Sequence, residues 1–167
     1  MRNAVVWTAL LLMAFMPGPA RPQSVDAGPG AEADIKQTLA AFLTSFENLD
    51  WPNFRTFFVP DATMFHPAAP NEKRIDSPQE FEKAWLGVFA RIRKNSGRDS
   101  SPFMSLRPQD LKIQIVSPGV AVVSFHLSEA HVLSRRTIVF RHGADGWKIV
   151  HIHASNLAIA LPERQAR

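Results

Sequence analysis

The 167-residue chain contains no cysteine and no tyrosine. Without cysteine it can form no disulfide and carry no lipid-modified N-terminal cysteine. A domain of roughly 140 residues buries enough surface to fold without such links. Without tyrosine there is no phenolic O–H to donate to a developing oxyanion. Carboxylates are also scarce where strands are expected: Glu129 ends one such segment and Asp110 precedes another. A basic run is missing too. The formal charge of +4 is spread along the chain, whereas a phosphate-binding surface needs clustered Lys and Arg. The nearest thing to a cluster, Arg91 to Lys94, falls where a helix should end and complements its dipole. Nucleic acid is therefore not an expected partner.

What is present is ordinary globular composition, 46% hydrophobic and 20% charged, enough for one domain with its own core. The start is distinctive. Arg2 precedes the apolar run AVVWTALLLMAFM and the segment PGPA, the three-part layout of a secretory signal peptide. The run falls short of the ~20 residues needed to span a bilayer. Cleavage after Ala20 or after Ala27 fits the small-residue rule equally well. Residues 1–27 are expected to be a cleaved signal and leader, and 28–33 a flexible linker. A folded domain should occupy 34–157, with 158–167 as a tail. The mature chain is expected to be exported, soluble and free of the membrane.

Asp34 and Gln37 make a possible capping box, followed by Ile35, Leu39, Phe42, Leu43 and Phe46 at helical spacing. That helix should stop near Asp50, because Pro52 disfavours helical geometry at Trp51. WPNFRTFFV reads as a short second helix, and PDATMFHP as a short strand between prolines. A third helix is capped by Ser77 with Pro78 and Glu80, and buries Phe81, Trp85, Val88, Phe89 and Ile92. After Pro102 the period changes to two: LKIQIVS, VAVVSFHLSE, HVLSRRTIVFR and WKIVHIHAS are strand candidates. Helices followed by consecutive antiparallel strands predict an α+β domain with the helices on one face of a curved sheet.

This order, with PDATMFHP after the second helix and the ending TIVFRHGADGWKIVHIHAS, resembles the nuclear transport factor 2 superfamily. The SnoaL-like domains and the association domain of calcium/calmodulin-dependent kinase II are the nearest types. The resemblance runs from about Asp34 to Ser155. It implies a cone-shaped half-barrel, commonly dimeric, whose pocket lies between sheet and helices. It does not imply one activity, since the fold hosts isomerases, dehydratases, hydrolases and proteins without catalysis.

Proton-moving members of that superfamily place a carboxylate, or a carboxylate with a histidine, inside the cone. Asp61 is the acid nearest the pocket-forming strand, although an Asp after Pro60 has an ordinary reading as a turn former. His66 ends that strand, at the implied rim. His126 shares a strand face with Ser124 and Ser128, and the resemblance places a pocket cation at its position. Arg136 shares a face with Ile138 and Phe140; turned inward, its guanidinium would favour an anionic ligand. Asp61, His66, Ser124, His126, Arg136 and Ile138 are thus the expected pocket residues. Strict alternation puts Trp147, Ile149, His151, His153 and Ser155 on one face, and Val150, Ile152 and Ala154 on the other. The two histidines stand close enough to share a metal, but no third ligand is evident. They are read as structural, with neither metal nor cofactor required.

The signal-like start, the resemblance and these residues together lead to the expectation of an exported domain, homodimeric as the resemblance implies, that binds a small, acidic organic molecule. Two rivals stay open: an isomerase, dehydratase or hydrolase using His126 or His66 with Asp61, and a non-catalytic assembly module.

Overall fold

A computed structural model describes residues 30–67, 73–129 and 131–158. Helix α1 runs Ala31–Glu47, α2 Trp51–Thr56 and α3 Pro78–Asn95; the strands are β1 Phe58–Phe65, β2 Gln109–Ser117, β3 Val120–Glu129, β4 Val132–Gly143 and β5 Gly146–Ala158. The sheet order is β1-β5-β4-β3-β2, with β1 parallel to β5 and the remaining pairs antiparallel. The result is the mixed α+β plan of a curled, unclosed sheet with helices.

Local chemistry accounts for the elements. The Ser77 hydroxyl accepts from the Glu80 N–H at 3.2 Å and so starts α3. Asp50 caps α2 in the same way, accepting from the Asn53 N–H at 3.3 Å. Helix α1 differs from expectation. It begins at Ala31 behind Gly30 rather than at an Asp34 cap, three residues inside the segment read as a linker. It ends before Leu49, which adopts φ 54°. Glycine usually takes such a position; here burial of the Leu49 side chain holds the turn. Two hairpins turn on glycine, Gly119 at φ 78° and Gly146 at φ 82°, conformations that cost other residues strain.

The inner face of the sheet and the helices share a single core, rich in phenylalanine. Phe54 is fully buried and lies 5.0 Å from Phe42, 4.7 Å from Trp85 and 5.2 Å from Phe89, ring centre to ring centre. Such pairs add to the area burial that drives the packing. Arg55 secures the start of β1 by donating to the carbonyls of Phe58 and Val59 at 3.3 and 3.1 Å.

Strand β5 departs from strict alternation. Phe140 pairs with Ile149 and Val139 with His151, leaving Val150 unpaired as a bulge. The bulge reverses the facing of every later residue. Trp147 and Ile149 are buried before it and Ile152 after it, while His151 and His153 turn to the outer face. The expected grouping of Trp147 and Ile149 with the two histidines is therefore corrected.

Candidate functional site

A cavity of about 190 Å³ lies between the inner face of the sheet and helices α1 and α3. The helices contribute Phe42, Phe46 and Trp85, and β1 with the residues after it contributes Met64 and His66. On the sheet wall, Phe125 pairs with Arg136, and Arg136 pairs with Ala154; all three line the cavity. Ser134, two residues before Arg136 on the same face, lines it as well. The wall is thus apolar apart from three convergent groups: an imidazole, a hydroxyl and a guanidinium.

Two of these polar groups are held by the sheet. The Arg136 guanidinium donates from Nη1 to the Arg135 carbonyl at 2.9 Å and to the Ser155 carbonyl at 3.4 Å. Ser134 is buried and donates to Asn156 Oδ1 at 2.9 Å, across the β4–β5 pair. The far rim is built by an irregular segment that Glu47 clamps at the end of α1. Its backbone carbonyl accepts from the Phe103 N–H at 2.8 Å, and its carboxylate accepts from the Leu106 N–H. Met104 and Leu106 are thereby fixed against the cavity.

His66 and Arg136 therefore meet at the cavity, and the other expected residues do not join them. Asp61 is exposed, on the strand side opposite buried Ala62 and Met64. Ser124 and His126 also face away, because the buried residues of β3 are Ala121, Val123 and Phe125. Their serine-rich row lies on the outer sheet face, where His126 Nδ1 meets Asp110 Oδ2 at 3.2 Å. Ile138 is fully buried on the inner face, between Val123 and Ile152, but outside the cavity lining. The sequence expectation overlooked Ser134, Phe125 and Trp85. Period-two spacing from Arg136 could have found Ser134; Met104 and Leu106, in a segment without a period, carried no such signal.

On the outer face, Thr63 Oγ1 lies 2.7 Å from His151 Nδ1, and the Phe65 ring lies 5.3 Å from that of His153. Burial, then the neighbouring charges of His153 and Arg74, holds the His151 pKa below its ordinary value. Among the described residues no group of three or more His, Asp or Glu side chains could hold a metal ion.

A family model for the SnoaL-like domain matches residues 35–160. The chain belongs to the SnoaL-like family. No curated protein matches it. Among solved structures, a Pectobacterium atrosepticum protein of unknown function superposes with a TM-score of 0.64 at 15% identity, covering 83% of this chain and 98% of that one. A Streptomyces avermitilis protein of the NTF2-like family, described as a dehydratase candidate, gives 0.61 at 17% identity over 76% of this chain and 96% of its own. The association domain of Caenorhabditis elegans CaMKII gives 0.54 at 16% identity, with coverages of 78% and 98%. At such identities the likeness establishes the fold of this SnoaL-like chain and nothing about its chemistry.

Proposed function

We propose that this SnoaL-like protein is exported and binds a small, largely apolar organic acid in its cone cavity, as a homodimer. The observation that carries the reading is Arg136, a guanidinium set into an otherwise apolar wall beside Ser134 and His66. A guanidinium can pair with a carboxylate through two parallel hydrogen bonds. A dry engineered cavity of about 150 Å³ accommodates benzene; one of 190 Å³ suits a single ring with a short acid chain. The signal-like start of the sequence supports export. The dimer reading rests on the outer sheet face, whose central row sets Thr137 between Ser124 and His153, with Phe65 beyond. This face mixes apolar and neutral polar groups with the cations Lys112 and Arg135, as a modest, partly polar interface does.

The enzyme alternative is favoured by one observation, His66 in the cavity lining. Asp61, its expected partner, is not among the lining residues. Native mass spectrometry of protein purified from the exported fraction tests the main reading. It should record a dimer and, after mild activation, release a small anionic compound in stoichiometric amount. A monomer free of ligand, with no mature N-terminus between Ala20 and Ala27, would contradict it.

A further inference from the structure

His151 and His153 stand side by side on the outer face of the sheet, toward its β1 edge. His151 pairs with Thr63 of β1 and Val139 of β4, and His153 with Phe65 and Thr137. The Phe65 ring packs against both imidazoles, with ring centres at 5.7 and 5.3 Å. Neither imidazole is within ion-pair reach of an acid among the described residues, whereas His126 Nδ1 meets Asp110 Oδ2 at 3.2 Å. Besides His153, the charge acting on His151 is that of Arg74, whose guanidinium is itself paired with Asp76 at 2.8 Å. Proton uptake here therefore sets positive charge beside positive charge.

The rest of the face is near charge balance while its imidazoles are neutral. Strand β2 contributes Asp110 and Lys112, β3 His126, β4 Arg135 and Arg141, and β1 Asp61. Lys148 of β5 is engaged at the edge, donating to the Thr56 carbonyl at 2.8 Å. The middle strands are uncharged at the centre, where Val122 meets Val139 and Ser124 meets Thr137. With both signs on one face, a two-fold pairing of that face with itself sets acids of one copy against cations of the other, which favours a second copy as the occupant. Five strands about 4.8 Å apart, over the eight-residue length of β1, cover roughly 600 Å² per copy, enough for a modest dimer. We infer that two copies join through this face at neutral pH and part in mild acid, because protonation of His151 and His153 in both copies gathers four uncompensated charges at the interface. The inference rests on the dimer reading above and adds its regulation. An interface that disfavours charged imidazole releases protons as it forms. The dimer is therefore at full strength above the ordinary histidine range, near pH 6.5, and weakens as the pH falls below it. Burial, then the charges of His153 and Arg74, already resists the charging of His151, so its contribution comes at the acid end.

Sedimentation velocity at about pH 7.5 and about pH 5 tests this, with circular dichroism confirming the fold at both. The wild type should be a dimer at the higher pH, and its dimer Kd should weaken at least about tenfold at the lower, the effect of displacing one imidazole's titration by one pH unit. Raising salt from about 0.1 to about 0.5 M in acid should recover part of that loss, because screening relieves repulsion where it would not refold a chain. The double variant His151→Asn with His153→Gln should dimerise alike at both pH values, and His126→Gln should behave as wild type. His153→Gln alone alters an exposed side chain; it should lose about half of the pH effect and decides the matter if the double variant fails to fold. A wild-type Kd that changes less than about twofold shows the inference wrong, while the dimer reading stands. So does a pH effect that persists in full in His153→Gln or in the double variant. A wild-type monomer at about pH 7.5 overturns the dimer reading and this inference with it.

Discussion

Trp85 has a consequence at the residue scale, in stability. It is 8% exposed and contacts Phe46, Phe54, Phe58 and Phe81. Truncation of such a ring leaves a void that rigid neighbours cannot close, so Trp85→Ala should cost about 3–5 kcal/mol in equilibrium urea unfolding. A loss below about 1 kcal/mol would mean that the stripe of α3 is not core. His151 gives a pH signature. Its pKa is lowered in the fold, first by burial and then by the charges of His153 and Arg74. The unfolded chain therefore takes up a proton near pH 6.5, about the ordinary histidine value, while the folded chain resists until lower pH. Stability from this group is complete above that value and declines as the pH falls through it. Thermal unfolding at a series of pH values should show a shallower acid decline for His151→Asn than for wild type. Equal slopes would place the acid sensitivity elsewhere.

At the scale of elements, β5 shows what could and could not be read from the residues. Its existence and the shared face of Ile152 and Ala154 follow from alternation. The bulge at Val150 does not, because an unpaired residue is a property of two strands together. The same limit applies to β3. Alternation separates Val123 and Phe125 from Ser124 and His126, but only the packed helices decide which set is covered. The expected pocket role of His126 was lost on that choice. Helix α3, by contrast, was legible throughout, since its cap and its stripe are local. The bulge can be tested by deletion. Removing Val150 would join Ile149 directly to His151 and make the ladder continuous, with His151 still outward and Ile152 still inward. The variant should fold and lose less than about 3 kcal/mol, as seen by circular dichroism with urea titration. Failure to fold would show that β5 is not paired with this two-against-one register.

For the whole molecule, the fold places two distinct surfaces back to back on one sheet. The inner face carries the cavity, and the outer face carries Ser124, Thr137, His153 and Phe65 in register. Arg136 and Arg135 are consecutive, so one chain segment serves both surfaces. The overall plan was readable from element order, and the cavity lining was not, because it draws on seven separate stretches of chain. If the outer face joins two copies, a charge at its centre should part them without harming the core. Thr137→Arg should sediment as a folded monomer where the wild type sediments as a dimer. An unchanged dimer would move the interface to another surface.

The central claim is that Arg136 makes the cavity a receptor for small apolar acids. Isothermal titration of phenylbutyrate into the wild-type protein, Arg136→Lys and Arg136→Gln tests it most directly. Both variants should retain the wild-type far-ultraviolet circular dichroism. The wild type should bind one equivalent per chain. Arg136→Gln should bind at least about tenfold more weakly, as expected from losing a charge-assisted hydrogen bond, and Arg136→Lys should fall between the two. Equal affinity in all three proteins, or binding that survives at the same strength in Arg136→Gln, would contradict the account.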